Sequence, residues 1–360
     1  MFLWLRKALF KVVLWASNKF ASRPEKERIF EALSALLDDI LNNKEKKGIT
    51  LSFDAQAGRF IIFSDQHKGA KNGADDFMLC EPAYLAALDY YYENDFHFIA
   101  LGDCEELWEN TLARVLKHQQ PSFDRYRQFI SQSRFYKTIG NHDLDWKNDP
   151  ITMLQIKKIY GTDLPVYDGV LLQTSVNNQQ LNIFCTHGHQ GDKASDGNWF
   201  SKFFVARIWA PLQMFLKINP NTPAYDAQLK TLHNRLMYEW SLSQENLLLI
   251  TGHTHQPVFE SLTHMERLYR LLLTAKASGD EKLIKEIEAE IQKRKFEYAN
   301  VSDDYLHMRP SYFNSGCCCN NDGDITGIEI ADSCMRLIRW KNEREVLEEI
   351  KLNELEKLLP

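Results

Sequence analysis

Residues 246–257 read NLLLITGHTHQP. Four apolar side chains in succession are too few for a helix and suit a strand buried on both faces. The chain breaks at Gly252, and His253 and His255 follow, one residue apart, before Pro257. Two imidazoles therefore stand at the tip of a buried strand.

Four other strand-like runs end in the same manner. RFIIFSDQHKG delivers Asp65 and His67, and FHFIALGD delivers Asp103. RFYKTIGNHD delivers Asn141, His142 and Asp143, and LNIFCTHGHQGD delivers His187 and His189. In an open α/β sheet the strand ends share one edge, so residues far apart in sequence converge in a crevice there. Gly102, Gly140, Gly188 and Gly252 let the backbone turn sharply beside it. A single buried histidine is ordinarily a hydrogen-bonded core residue, but five strand tips carrying His, Asp and Asn together mark a site. Carboxylate oxygen, amide oxygen and imidazole suit manganese, iron or zinc, and the absence of cysteine at these tips argues against a closed structural zinc site. One carboxylate can bridge two ions, which is the arrangement of two-metal hydrolysis.

Around these tips the hydrophobic period alternates between helix and strand. Residues 24–44 have apolar side chains at helical spacing. From Gly48 the period changes, and ITLSFD and RFIIFSD around AQAG predict a hairpin. Helical segments separate the earlier strands, while the later ones carry hairpin signals such as Asn321-Asp322-Gly323. Two segments read as insertions into a catalytic domain over residues 48–341. Residues 198–244 are aromatic and helical, with Trp199, Phe203, Phe204, Trp209, Phe215 and Trp240, and make either a cap over a site or a satellite core. Residues 261–298 are charged at helical spacing and break at Ser278-Gly279-Asp280, a helical hairpin. N-terminal helices occupy residues 1–47, and residues 342–360 read as a C-terminal helix.

Composition restricts the setting. A chain of 360 residues with 44% hydrophobic side chains can bury one large core with insertions. Its net charge of -6 supplies no basic field for a specific nucleic-acid partner. Seven cysteines, three of them consecutive at Cys317, Cys318 and Cys319, are badly placed to bridge one another and fit a reducing compartment, hence the cytoplasm. No run approaches the roughly 20 apolar residues of a membrane-spanning helix. The first 20 residues put Arg6, Lys7, Lys11 and Asn18 on one side of a helical projection, with Phe2, Trp4, Leu5, Leu9, Val13 and Trp15 around the rest. Lys11 interrupts the apolar stretch that a signal peptide needs. The alternatives are a helix packed on its own domain or on a second subunit, and an interfacial helix that makes the protein peripheral at a membrane.

The ordered series Asp-x-His, Gly-Asp, Gly-Asn-His-Asp, His-Gly and Gly-His-x-His resembles the calcineurin-like metallophosphoesterases over roughly residues 58–330. The resemblance implies an α/β fold, a four-layer α/β/β/α sandwich with two divalent ions at the strand ends. It implies that Asp65, His67 and His255 hold one ion, that Asn141, His187 and His253 hold the other, and that Asp103 bridges them. A hydroxide bridging the ions would attack phosphorus in a phosphomonoester or phosphodiester. His142, oriented by Asp143, would protonate the leaving oxygen or stabilise the transition state.

Departures from the family pattern limit what carries over. Members often have aspartate or asparagine where this chain has Glu106, which reads as a partner of a ligand or as a structural residue. His189 is a phosphate contact or a donor behind the ligands, and the three cysteines read as core packing. Besides a small phosphate ester, the substrate could be a lipid-linked pyrophosphate or a phosphoprotein. The UDP-diacylglucosamine hydrolases share a helical lid but typically carry arginine where His142 stands. A non-catalytic scaffold would have lost ligands, and none is missing.

Overall fold

The computed structural model describes residues 24–42, 47–72, 75–148, 150–191, 227–294 and 308–359. The N-terminal segment 1–20 and the aromatic residues Trp199, Phe203, Phe204, Trp209 and Phe215 lie outside these. Two seven-stranded sheets organise the rest. The first has the order β1 (Gly48–Ser52), β6 (Gly169–Val176), β7 (Gln179–Thr186), β8 (Leu247–Thr251), β11 (Tyr312–Asn314), β9 (Val258–Phe259) and β10 (Leu262–Thr263). The second has the order β14 (Arg344–Lys351), β13 (Cys334–Trp340), β12 (Ile325–Ala331), β2 (Phe60–Phe63), β3 (His97–Leu101), β4 (Phe135–Thr138) and β5 (Val166–Tyr167).

Period-two alternation stacks the layers. Phe60 and Ile62 of β2 face Val170, Leu172, Leu248 and Ile250 in a core between the sheets. Their neighbours Ile61 and Phe63 point the other way, onto α2 (Glu81–Glu93) and α4 (Gln120–Ser131), while α3 (Leu112–His118) leads into α4. On the first sheet Leu171, Phe184 and Leu249 face outward onto α1 (Lys26–Leu41) and α7 (Ala227–Leu242), through Leu33 and Trp240. The result is the four-layer α/β/β/α sandwich. Helices α5 (Asp145–Asn148) and α6 (Pro150–Tyr160) lie between β4 and β5 in sequence. The charged segment is the expected helical hairpin, α8 (His264–Ser278) and α9 (Glu281–Arg294), with its own small apolar cluster and Gly279 at φ 73° as the C-cap. Among the described residues no helix is long and apolar enough to cross a membrane.

Three local expectations fail. β1 and β2 do not form a hairpin: β1 pairs with β6 in one sheet and β2 with β3 and β12 in the other. The turn is real, with Asp54 accepting from the amides of Gln56 and Ala57. However, Phe60-Ile61-Ile62-Phe63 is apolar on both faces and needs an interior place, whereas the half-exposed β1 suits an edge. Asn321-Asp322-Gly323 likewise joins strands of different sheets, β11 and β12. Residues 342–360 are not one helix but the edge strand β14 followed by the short α10 (Leu352–Leu358). Cross-strand ion pairs Arg336–Glu349 and Arg339–Glu345 support this strand, and Arg344 reaches the buried Glu329 at 2.6 Å. Trp240, one of the aromatic residues read as a cap or a satellite core, packs on Phe184 in an apolar cluster and donates to Ser34 Oγ of α1.

Beneath the C-terminal ends of β2, β3 and β4 lies a buried ionic cluster. Glu105, fully buried, accepts from Lys137 Nζ at 2.8 Å and Trp146 Nε1 at 2.7 Å, and stands 3.4 Å from Lys68 Nζ. Both lysines are also fully buried, Lys68 donating to Tyr126 Oη at 2.7 Å. Removing the shared carboxylate leaves the Lys68 ammonium with only the neutral Tyr126 Oη and the Lys137 ammonium with only Asp143 Oδ2 at 3.8 Å. Glu105→Ala should therefore lose about 3–5 kcal/mol in denaturant unfolding, and a loss below about 1 kcal/mol would contradict this account.

Candidate metal centre

All five polar strand tips meet at one edge, β2, β3 and β4 reaching it from the second sheet and β7 and β8 from the first. The backbone bends into the left-handed region to do so. Asp65 (φ 52°), His67 (φ 48°), Asp103 (φ 49°), His253 (φ 68°) and His255 (φ 55°) all have positive φ. Such values are uncommon without glycine and concentrate at functional sites, where surrounding structure enforces them. Of the glycines expected to relieve turns, Gly102 does so at φ 79°. Gly140 serves close approach instead, because a Cβ there would lie 2.1 Å from Asp103 Oδ1.

The donor atoms form overlapping groups. Asp65, His67 and His255 each offer one atom within 4.8 Å of the others, as do Asp103, His187 and His253. Asp103 also groups with His67 and His142. His187 Nε2 is 3.1 Å from Asp103 Oδ2, and His255 Nε2 is 3.2 Å from Asp65 Oδ1. Yet Asp65 Oδ1, Asn141 Oδ1, His187 Nε2 and His253 Nε2 are buried and make no hydrogen bond. Buried polar atoms that crowd together without hydrogen-bonding one another are what a ligand set looks like. The mixture of carboxylate, amide and imidazole fits borderline divalent ions.

Charge and orientation agree with this. Burial alone would raise the Asp65 pKa, but His187 and His255 hold it well below the carboxylate range. Burial alone would lower the His187 pKa, but Asp103 and Asp65 raise it to about 9. His187 Nδ1 donates to the Leu101 carbonyl at 2.9 Å, which fixes its tautomer and turns Nε2 toward Asp103. Ser64 Oγ donates to Asp65 Oδ2, and the His253 amide donates to the same oxygen at 2.9 Å. His189 lies buried beside His187, and burial, reinforced by the His187 charge, lowers its pKa to about 3.

Glu106 is the residue whose role the sequence left open. One oxygen, Oε2, is 3.0 Å from His67 Nδ1 and 2.7 Å from His142 Nδ1. Burial would raise its pKa, but His142 and then His67 lower it to about 2, so it acts as a fixed acceptor. Orientation of His142 falls to Glu106 rather than to Asp143. Asp143 instead accepts from the amides of Gly140 at 2.6 Å and Cys104 at 2.8 Å, tying the loop after β4 to the loop after β3. Trp108, which the sequence reading passed over, stacks on His142 at 4.3 Å and donates to the Asn141 carbonyl at 2.7 Å. Its position two residues before the Asn at the end of "ELWEN" carries no signal of its own; only the fold brings it to the site.

A family model described as calcineurin-like phosphoesterase matches residues 58–257, more than half of the chain. The chain belongs to the calcineurin-like phosphoesterase family, whose members are metal-dependent phosphoester hydrolases. No curated protein matches it. Among the solved structures that align with it are a point mutant of a cold-active protein tyrosine phosphatase and a second structure of a cold-active protein tyrosine phosphatase. Each is 13% identical; the first covers 84% of both chains with a TM-score of 0.34, the second 86% of this chain and 84% of that one with 0.35. At those scores neither likeness bears on function.

Because one Glu106 oxygen serves two imidazoles, its loss should disturb both. Glu106→Ala is expected to bind manganese roughly 10–100-fold more weakly with its melting temperature little changed. Unchanged affinity in a calorimetric titration would show that His67 is held by something else.

Proposed function

We propose that the chain is a two-metal phosphoesterase acting on a phosphomonoester or phosphodiester. The observation that carries this reading is the convergence of buried ligand-type atoms, of which Asp65 Oδ1, Asn141 Oδ1, His187 Nε2 and His253 Nε2 make no hydrogen bond. Asp65, His67 and His255 would hold one ion, Asn141, His187 and His253 the other, with Asp103 between them. When bound, such ions activate water near neutral pH and neutralise charge on phosphoryl oxygens. The chain's own groups set the geometry. His67 and His142 are locked at Nδ1 by Glu106, and His187 by the Leu101 carbonyl.

His142 stands beside the donor set, a ring nitrogen within 4.8 Å of a His67 ring nitrogen and of an Asp103 carboxylate oxygen. Its Nδ1 is engaged, so Nε2 is the nitrogen free to pass a proton to the leaving oxygen. Trp108 keeps the ring plane fixed by stacking. The proton matters most when the leaving group is a poor one.

Two experiments test this reading. Manganese-supplied protein should hold close to two ions per chain, and Asp103→Asn should lose metal together with nearly all hydrolysis of p-nitrophenyl phosphate. A fully active protein holding well under two ions would end the two-metal reading. His142→Ala should keep its ions and lose roughly 10²–10⁴-fold on alkyl phosphate esters, and far less on p-nitrophenyl esters. Equal losses on both would exclude proton donation by His142.

A further inference from the structure

The loop that follows β11 turns two cysteines toward the donor set. Cys317 and Cys319 alternate with Cys318, whose sulfur points instead toward the Thr326 carbonyl. Cys319 Sγ is 3.6 Å from His255 Nδ1, and both sulfurs lie within 4.8 Å of each other and of that imidazole. Cys319 is part-exposed, while Cys317 is buried with its sulfur 3.1 Å from Asn320 Oδ1. A part-exposed thiol with a second thiol beside it to resolve the first oxidation product is the arrangement in which a cysteine pair oxidises reversibly.

His255 has its other nitrogen, Nε2, 3.2 Å from Asp65 and 3.1 Å from His67 Nε2. The sulfur of Cys319 therefore occupies the place behind the ring that elsewhere fixes a metal-binding imidazole. We propose that Cys317 and Cys319 form an oxidisable dithiol that takes hydrogen peroxide as its co-reactant and, on closing to a disulfide, withdraws the sulfur that positions His255. The Cys319 sulfur attacks the peroxide and gives up its proton as it does so, an S–O bond forms as the O–O bond breaks, and the departing hydroxide takes that proton and leaves as water. Cys317 then attacks the Cys319 sulfur, the S–S bond forms, the S–O bond breaks and a second water departs with the Cys317 proton. The dithiol loses two electrons and two protons, and the peroxide is reduced to two waters. Closure brings the sulfurs from within 4.8 Å to about 2 Å; the loop gathers both sulfurs at His255, so the pairing that their near-consecutive placement in sequence argued against is open to Cys317 and Cys319.

The effect on the ions rests on the two-metal reading; the oxidation itself does not. In the test, manganese-supplied protein is treated with hydrogen peroxide, alkylated, digested and weighed. The peptide carrying Cys317 and Cys319 should be two hydrogens lighter and unalkylated at both, with the other five cysteines alkylated. Manganese affinity should fall roughly 10–100-fold and recover with dithiothreitol. Cys317→Ser should start with ordinary affinity and show no reversible loss. Alkylation of both residues after peroxide, or a bridge from Cys317 to the nearby Cys80, would overturn the proposal. Thiols blocked until a chelator is added would also overturn it, since the pair would then be a soft-metal site. A disulfide that leaves manganese affinity unchanged would overturn the link to His255. Mass and affinity are read without substrate, so failure to hydrolyse any ester would count against the hydrolase reading alone.

Discussion

The Asp103 carboxylate is 1% exposed and meets every strand tip that builds the centre. It accepts from the His142 amide at 2.7 Å, stands 3.1 Å from His187 Nε2 and 3.7 Å from His67 Nε2, and shares a donor group with His253. A buried carboxylate is tolerated only where positive charge and hydrogen bonds offset its lost hydration. The tips of both sheets are arranged to supply that offset. The two sheets are joined at this edge as well, because His187 of the first sheet donates to Leu101, two residues before Asp103 in the second.

Holding five tips around one anion strains the backbone, and the sandwich absorbs the strain. Asp65, His67, Asp103, His253 and His255 remain in the left-handed region because the strands before them are paired on both sides and buried throughout, apart from the half-buried His97 at the start of β3. Support continues below the tips in the Lys68–Glu105–Lys137 cluster and beside them in Asn314, which donates to the Gly252 carbonyl at 2.7 Å. Rigidity of this kind keeps Asp65 Oδ1, Asn141 Oδ1, His187 Nε2 and His253 Nε2 gathered at one edge although none of them makes a hydrogen bond.

Much of this was legible because each tip is a polar cluster interrupting an apolar run, a signal that survives without tertiary information. His253 and His255 were readable from NLLLITGHTHQP alone, and the order of the five motifs carried the four-layer fold. Less could be read where a side chain's partner depends on the fold. Glu106 was visible as a departure, but that one oxygen would serve His67 and His142 follows only from how β2, β3 and β4 lie side by side. Asp143, adjacent to His142 in sequence, turns away to backbone amides. The edge strand β14 looked helical because its charges, spaced as on a helix, are paired across strands, and the AQAG turn looked like a hairpin because sequence does not say which sheet a strand enters.

In the proposed two-metal phosphoesterase, one edge of the sandwich would hold two ions close enough to share a carboxylate. Electron paramagnetic resonance of the protein titrated with manganese tests it most directly. Two ions bridged by Asp103 should be magnetically coupled, giving at saturation a multiline spectrum with the hyperfine spacing halved, and Asp103→Asn should abolish it. An isolated six-line manganese signal at every loading would contradict the account.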